Sequence, residues 1–279
     1  MAKLIYKNER GGSLTFGDRA PFLVTAIDGL GSPQNIINKS TSYGQDGSTV
    51  TSSNLSDRNL VLEGVILEPD LKARQGYRRT LLEVFNPKLK GELIYVRDEG
   101  NVVIPCVPEL APFFPSNMQQ NYQVFSLQLM APNPYWLSED SQSTEMVSWI
   151  GGFSFPLRLP SKFATAGERE INIINSGDVK TPVKLEIYGV ATNPTITNTS
   201  TGEFIKVNTT LLESDVLTIT TEFGNKKVER NGESVFHFID LNSTFFELEV
   251  GDNVLEFKTE DVEDEANIKI SYRNRYIGV

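Results

Sequence analysis

The sequence has almost none of the residues that build disulfides and transition-metal centres. Its 279 residues include one cysteine, Cys106, and one histidine, His237. One cysteine cannot form an internal disulfide, and the pair cannot supply the ligand set of a structural zinc site. No apolar run approaches the roughly 20 residues that a membrane helix needs, and residues 1–6 have no apolar signal-peptide core. We therefore expect a protein folded in a cytosol, with no metal, no cofactor and no membrane partner.

Catalytic motifs are also missing. The sequence contains no G-x-S-x-G nucleophile elbow and no glycine-rich phosphate loop. His237 lies among apolar residues in Ser234–Ile239, which predicts a strand, and Cys106 lies in the apolar run Val102–Val107, where a free cysteine is usually buried. The acidic run at 260–265 lacks the spacing and the glycine of a calcium loop, so we predict a solvated turn. We expect no catalytic residue and no enzyme.

The chain is acidic, and its charge is uneven. The formal net charge is −10; residues 1–140 carry 13 basic and 15 acidic side chains, whereas residues 141–279 carry 13 and 21. A protein that grips nucleic acid needs an excess of Lys and Arg to neutralise phosphates. Nucleic acid is therefore not expected as a gripped partner. The step in charge indicates a domain boundary near the middle of the chain.

A proline-rich junction lies at that point. An alternating strand, Tyr122–Ala131, runs into Pro132, Pro134, Tyr135 and Trp136. Each proline ring fixes φ and pushes the residue before it to an extended conformation, so the chain leaves the strand without a helix. We expect Tyr135 and Trp136 to anchor an interdomain junction. The predicted ranges are an N-terminal domain at 1–135, a proline and aromatic linker at 136–160 and a C-terminal domain at 161–279.

The first half reads as β-strands with one helix. Alternating apolar residues predict strands in segments such as Leu60–Leu67 and Glu92–Val96. Between Asp70 and Phe85 the apolar spacing changes to three and four residues, which predicts an amphipathic helix with Asp70 as N-cap. The other face of this helix carries four basic residues, Lys72, Arg74, Arg78 and Arg79. We interpret this face as solvated or in contact with a neighbouring subunit, with Arg74 and Arg78 as the candidate contacts.

A polar segment, Gln34–Asp57, interrupts the strands of the first half. It is rich in Ser, Thr, Asn and Gly, and at its centre lie Tyr43, Gln45 and Asp46. A structureless loop of this length is unusual inside a compact domain. We interpret the segment as a protruding hairpin arm that contacts a partner through these three residues, and a merely flexible surface loop is the alternative.

The second half is all β by its pattern. Short alternating segments such as Val183–Tyr188 and Val216–Thr220 are separated by glycine turns, which predicts a sandwich of jelly-roll type. Sandwiches of this kind include sugar-binding lectins, in which exposed aromatic side chains stack on the saccharide. The aromatic residues of this half are expected mostly in the core. A carbohydrate-binding module or adhesin is therefore an alternative function, and a glycoside hydrolase with paired carboxylates is a weaker one.

Several stretches in order resemble the distal tail proteins of long-tailed, siphovirus-type bacteriophages or prophages. In addition to the junction and the helix at Asp70–Pro87, the resemblance is carried by Gln45–Gly47, Arg58–Gly64, Phe153–Pro160, Asn193–Ile196, Thr201–Glu203, Ser214–Ile219, Asn231–Gly232 and Gly251–Asn253. The resemblance covers nearly the whole chain. It implies a mainly β protein: an N-terminal β-sandwich with one α-helix and a protruding hairpin arm, followed by a C-terminal galectin-like sandwich.

The same resemblance implies a structural role at the tip of a phage tail. Six copies would form a ring through their N-terminal domains, and the ring would join the tail tube protein to the tail-associated lysin, fibre or baseplate components. A receptor-binding protein is a further expected partner. DNA would only pass through the lumen, and the ring would be assembled in the cytoplasm of the bacterial host.

Overall fold

The computed structural model describes residues 3–115, 121–147, 149–151, 164–166, 170–261 and 264–279. These residues are mostly β-strand with one α-helix and one 3₁₀ turn, which confirms the mainly β class. They divide into two compact units, Met1–Glu139 with Tyr276–Val279, and Asp140–Arg275. The chain therefore passes between the units twice.

The observed division differs in detail from the predicted ranges. Trp136–Ser138 forms a strand of the first unit, and Gln142–Val147 is already a strand of the second, so these parts of the predicted linker belong to the two sheets. The last four residues belong to the first unit, where the backbone N–H of Val279 donates to Leu30 O at 3.1 Å. Phe153–Pro160 lies outside the described residues.

The described residues of the first unit form ten strands and the helix. In chain order they are β1 (Lys3–Asn8), β2 (Ser13–Phe16), β3 (Phe22–Asp28), β4 (Asn35–Ser40), β5 (Thr49–Leu55), β6 (Arg58–Leu67), α1 (Leu71–Val84), β7 (Gly91–Val96), β8 (Val102–Pro108), β9 (Tyr122–Ala131) and β10 (Trp136–Ser138). The main sheet has the order β2-β1-β7-β8-β9-β6-β3, and β10 pairs with β8.

This sheet curls until its two ends meet. Gly17, just after β2, forms a bridge with Leu23 of β3, and Val24 N donates to Gly17 O at 2.9 Å. β6 and β9 turn every second side chain towards the inside of the curl, where these side chains are buried. Gly64 permits a close approach of β6 to β3, since a Cβ atom there would lie 2.4 Å from Leu23 O. The enclosed side chains form the core of the unit.

Helix α1 covers part of this core, as predicted. Its N-cap Asp70 accepts hydrogen bonds from the backbone N–H groups of Lys72 and Ala73, and the helix ends at Phe85. Leu81, Val84 and Phe85 are buried. The Phe85 ring stacks on Tyr6 with a centroid distance of 4.1 Å. The apolar stripe read from the sequence is thus the face that packs on the sheet.

The predicted protruding hairpin is present as β4 and β5. These strands pair with each other in a separate two-stranded sheet. Every residue from 34 to 51 is exposed. The hairpin, with its connecting residues 41–48, is called the arm below.

The second unit is built from short strands. In chain order they are β11 (Gln142–Val147), β12 (Trp149–Gly151), β13 (Ala164–Ala166), β14 (Glu170–Asn175), β15 (Thr181–Gly189), β16 (Ala191–Thr192), β17 (Thr195–Asn198), β18 (Glu203–Lys206), β19 (Thr210–Leu211), β20 (Val216–Thr220), β21 (Lys227–Arg230), β22 (Glu233–Ser234), β23 (Glu247–Leu248), β24 (Gly251–Lys258), β25 (Ala266–Tyr272) and β26 (Arg275–Tyr276), whose last residue belongs to the first unit.

Two sheets of the second unit share one core. One has the order β11-β25-β15-β20-β21-β22, and the other has the order β14-β24-β17-β18. The inward positions of β15 and β25, such as Leu185 and Ile268, are fully buried with Ile196 and Leu255 of the other sheet. Alternation of buried and outward residues along antiparallel strands is typical of a sandwich. The predicted turns at 200–202 and 231–232 contain glycines with positive φ.

Candidate functional site

The arm presents apolar side chains to solvent on a short, regular scaffold. Ile36 and Ile37 lie on β4, Val50 lies on β5, and Tyr43 lies in the connecting turn; all four are exposed. Adjacent residues of a strand point to opposite faces, so the apolar groups are not confined to one side of the arm. Exposed apolar groups grouped on one element are typical of a surface that binds a partner.

Hydrogen bonds within the arm hold its shape. The Nδ2 of Asn38 donates to Ser52 Oγ at 2.8 Å, and Ser53 Oγ donates to Asn35 Oδ1 at 2.8 Å. In the turn, the Gln45 side chain accepts from Ser42 N at 3.2 Å and donates to Thr49 Oγ1 at 3.3 Å. Gln45 therefore shapes the turn, whereas Tyr43 and Asp46 project from it as exposed side chains.

Arg58 fixes the base of the arm from inside the unit. Only 1% of this residue is exposed. Its guanidinium donates to the backbone oxygens of Gly29 at 2.7 Å, Gly31, Pro134 at 2.8 Å and Ile277 at 2.5 Å. One side chain thus ties together the segment that leads into the arm, the proline junction and the end of the chain.

The chemistry of this cluster depends on carbonyl dipoles. Burial lowers the pKa of the Arg58 guanidinium, but arginine remains charged because its pKa starts so high. A planar guanidinium carries donors in fixed directions, which suits several carbonyls around one point. The burial of Arg58 could have been predicted from the sequence. Arg58 lies an even number of residues from Leu60, Leu62 and Ile66, so the alternation of the strand assigns it to the same, buried face.

The junction residues divide between surface and core. Trp136 is fully buried in the core of the first unit, 6.5 Å from the Tyr95 ring, with the Arg58 guanidinium 5.9 Å from its own ring centre. Pro134 contributes the carbonyl that Arg58 binds, and Pro132 is exposed. Tyr135 is half-buried, and its N–H donates to Asn133 Oδ1 at 3.3 Å. The junction therefore anchors on the first unit through Trp136.

The basic face of α1 is less uniform than the sequence suggested. Arg74, predicted to be a solvated or subunit contact, is buried with 6% of its surface exposed. It lies one turn before the half-buried Tyr77 and Arg78, on the same side of α1, and a long arginine stem can cover apolar surface in this way. Arg79 is exposed and pairs with Glu83 at 2.9 Å. Arg78 is half-buried and lies 4.6 Å from the centre of the Phe114 ring.

A shallow groove lies beside Arg78. It has a volume of about 460 Å³ and is lined mainly by the segment Leu110–Phe114 with Ser126 and Gln128 of β9. Leu110 is 59% exposed and Phe113 is 64% exposed. No sequence pattern indicated this groove, because the segment has neither strand alternation nor helical spacing.

Cys106 and His237, the residues considered for catalysis or metal binding, do not form a site together. Cys106 is buried, and burial raises the pKa of its thiol to about 12, so it is a poor nucleophile. His237 was predicted on a strand, but it lies exposed in the 3₁₀ turn Phe236–Phe238. The centres of the His237 and Phe238 rings are 4.0 Å apart. Among the residues that the structure describes, no group of three His, Cys, Asp or Glu side chains could hold a metal ion.

Two features of the second unit differ from expectation. Asp264, in the predicted solvated acidic run, is buried and accepts a hydrogen bond from Thr192 N at 2.6 Å. Phe223 lies at a turn next to Gly224 and is 88% exposed, whereas the aromatic residues of this half were expected mostly in the core. Within the described ranges, no helix is long and apolar enough to cross a membrane.

Two protein-family models match the chain, one in each half. Residues 9–131 match the phage tail protein RIFT-related domain, and residues 176–276 match the C-terminal domain of the siphovirus-type tail component. Together these matches cover most of the sequence, and each falls within one unit apart from a single residue at the end of the second match. No curated protein matches the chain.

Solved structures share the fold over the full length. The crystal structure of phage SPP1 Dit (gp 19.1), described as a paradigm of the hub adsorption apparatus in phages that infect Gram-positive bacteria, has a TM-score of 0.70 at 14% identity and covers 98% of both chains. A chain of the phage P2 baseplate in its activated conformation with Ca has a TM-score of 0.50 at 11% identity and covers 97% of both chains. At these identities the likeness shows the fold.

The order of the two family matches agrees with the two-unit architecture, and the resemblance read from the sequence motifs points the same way. The chain belongs to the siphovirus-type tail component family, the distal tail proteins of long-tailed phages.

Proposed function

We propose that this protein is a structural adaptor of a phage tail tip, and that its working form is a ring of six copies. The family supplies the setting, a tail component whose relatives in solved structures belong to a hub adsorption apparatus and a baseplate. The observation that supports the ring is the arm, an exposed hairpin with four exposed large apolar side chains.

A ring explains why an arm of this kind is stable enough to function. A two-stranded hairpin alone is marginal in water, and its outer backbone groups remain open to a further strand. Pairing with a neighbouring copy satisfies those groups and buries the apolar side chains. In such a contact a patch on one copy meets a different patch on the next copy. Repeated around an axis, this contact forms a closed ring when the rotations from copy to copy add up to a full turn. Tyr43 and Asp46 on the arm and Arg78 on the unit's body are the proposed contact residues.

The partners follow from this role. On one side the ring meets the tail tube protein, and on the other it holds the tail-associated lysin, a fibre or baseplate components, with a receptor-binding protein as a further partner. DNA passes through the lumen, and the net charge of −10 disfavours DNA adhering to the wall. Assembly takes place in the host cytoplasm, and the protein has a scaffold role rather than an enzymatic one.

The experiment that tests the ring is a mass measurement on the purified chain across a concentration series. We expect a species of six times the chain mass of 31.1 kDa. The informative variant replaces residues 35–55 by a short Gly-Ser loop. Ser56 N already donates to Gln34 O at 2.9 Å, so the loop joins two points that are in contact. This variant should stay folded and lose the ring. A monomeric intact chain at all concentrations contradicts the proposal.

Carbohydrate binding by the second unit is a second candidate function, and Phe223 favours it. An aromatic ring this exposed at a turn is suited to stack on a sugar face, as aromatic residues do in lectin-type sandwiches. Titration of the protein with cell-wall saccharides should then give saturable binding that Phe223→Ala removes. Phe238→Ala, at another exposed aromatic position of the same unit, is the matched control. If the intact protein shows no saturable binding, this function is wrong; if all three proteins bind equally, Phe223 is not the binding residue.

A further inference from the structure

The groove beside Arg78 combines exposed apolar side chains with a fixed backbone. Glu109 N donates to Gln128 O at 2.9 Å, and Phe113 and Ser126 exchange two backbone hydrogen bonds of 2.9 Å each. The segment between these points is therefore held against β9 at both of its ends. Leu110 and Phe113 are therefore held open to solvent at defined positions, which lowers the ordering cost of binding at this site.

The groove also has a defined polarity. Among the described residues that line it, Arg78 is the only charged one. Its guanidinium covers the Phe114 ring from one side at 4.6 Å, and a planar guanidinium has a second face that can take another aromatic ring. The groove thus suits an aromatic side chain accompanied by a carboxylate.

The tip of the arm has this chemistry. Tyr43 is an exposed aromatic residue, Asp46 lies three positions further along the same turn, and both project into solvent. The six residues of β4 extend the tip by about 20 Å at 3.3 Å per residue. This length separates the tip from the base of the arm, where Ser56 N donates to Gln34 O.

We propose that the groove formed by Arg78, Leu110, Phe113 and Phe114 receives the arm tip of a second copy of this chain. Tyr43 packs against Phe113 and the open face of Arg78, and Asp46 pairs with the Arg78 guanidinium. The inference rests on the proposed ring, and it names the surface on which the ring is joined. Each copy uses its arm once and its groove once.

Cysteine cross-linking between copies tests this contact directly. The variants Tyr43→Cys and Phe113→Cys are purified separately, mixed to assemble, and treated with a short bismaleimide. The native Cys106 stays in place because it is buried and its thiol is not ionised. We expect a cross-linked dimer only in the mixture, and a ladder up to the ring in the double variant. The control is Leu82→Cys, which should not cross-link to Tyr43→Cys. Leu82 lies on α1 with Arg78 and is 44% exposed, but it does not line the groove.

Assembly measurements provide a second readout. Phe113→Asp and Arg78→Ala should each raise the concentration needed for half assembly by about tenfold or more, as loss of an interface anchor does. Arg79→Ala should not, because Arg79 does not line the groove. A circular dichroism melt identifies variants that fail to fold.

The outcomes separate this inference from the proposed function. If the intact chain never assembles, both fail. If the ring forms and needs the arm, but Tyr43→Cys and Phe113→Cys do not cross-link and Phe113→Asp assembles normally, the ring stands and this contact is wrong. The groove would then be a site for a different tail protein.

Discussion

At the scale of single residues, Arg58 joins three separate parts of the first unit. A buried guanidinium that donates to several backbone oxygens stabilises the fold only while those bonds stay complete, because an unpaired buried charge is costly. The three segments that it joins are distant in sequence. Its loss should therefore be felt at the arm base, at the junction and at the chain end together.

We expect Arg58→Lys to destabilise the first unit by about 2–4 kcal/mol, because an ammonium keeps the charge but loses the planar fork. Denaturant unfolding followed by near-ultraviolet circular dichroism measures the change. Arg19→Lys, at an exposed position, is the matched control and should change stability by less than about 0.5 kcal/mol. Equal stability of the two variants would show that the carbonyl cluster does not depend on the fork.

Asp215 makes the stability of the second unit depend on pH. Its carboxylate accepts from Leu212 N at 2.9 Å and from Asn231 Nδ2 at 2.8 Å, and it pairs with Arg230 at 2.7 Å. The hydrogen bond from Leu212, then those from Asn231 and Arg230, lower the pKa of this carboxyl below its ordinary value of 3.8. In acid the unfolded chain therefore binds the proton first.

The stabilisation by Asp215 is complete above its unfolded pKa and is lost as the pH falls towards the lowered folded value. We expect the second unit to lose stability between about pH 5 and pH 2. Asp215→Asn should unfold more easily at pH 7 and show a shallower loss in acid. The measurement is a series of thermal melts at different pH values. Parallel pH profiles for the two proteins would contradict the role of Asp215.

Whether the position of a residue could be predicted from the sequence depended on how local its interactions are. The helix at Asp70 was predictable because capping and apolar spacing are local. The burial of Arg74 was missed although helical spacing indicates it, because Arg74 lies three residues before Tyr77 and seven before Leu81, on the apolar side of the helix. His237 was assigned to a strand from its apolar neighbours, yet Phe236 and Phe238 are partly exposed in a short 3₁₀ turn. Periodicity over so few residues does not separate these alternatives.

At the scale of elements, the arm shows how a polar segment becomes a regular structure. Its composition predicted a protrusion, and the structure has a hairpin with a register shift between Asn38 and Lys39. Side-chain bonds of Asn and Ser replace the apolar packing that other strands have. The base of the arm, by contrast, depends on close backbone contacts. The groove segment Leu110–Phe114 could not be predicted, because only its pairing with β9 gives it a defined place.

Gly29 and Gly44 show that the base of the arm is closely packed against the backbone and that its turn is not. Gly29 at the arm base has φ +87°, and a Cβ atom there would lie 2.1 Å from Asn59 O, whereas Gly44 in the arm turn has φ +76° and open space around it. An Ala at either position has an unfavourable left-handed backbone, at a cost of about 1–2 kcal/mol, but only Gly29→Ala also collides with a strand.

We therefore expect Gly29→Ala to lower the unfolding free energy of the first unit clearly more than Gly44→Ala does. Gly44→Ala should leave the body of the unit unchanged, since the arm turn lies outside its core. Denaturant titration of both variants measures the difference. If the two substitutions cost the same, the arm base tolerates movement, and the close approach of Gly29 to β6 is not a constraint.

At the scale of the whole molecule, the two units should differ in their need for partners. The exposed arm and the proposed groove both belong to the first unit, so assembly is assigned there. The second unit encloses its own core between two sheets. We expect it to fold and remain monomeric when it is expressed alone.

The limits of that fragment follow from the strand pairing. Residues 140–275 retain β11, which pairs with β25 along six positions, and they omit the last four residues, which belong to the first unit. A fragment at 161–279, the domain range predicted from the sequence, lacks β11 and leaves β25 as an open edge. Unpaired edge strands promote association between chains.

We expect fragment 140–275 to be soluble and monomeric, and to unfold in one cooperative transition, as single domains of this size do. Fragment 161–279 should be less stable and should associate as its concentration rises, because the open β25 edge can pair with another copy. Light scattering and thermal unfolding of both fragments, at equal concentrations, make the comparison. If 140–275 aggregates, the unit does not fold independently in the way that its core suggests. If 161–279 behaves identically to 140–275, β11 is dispensable.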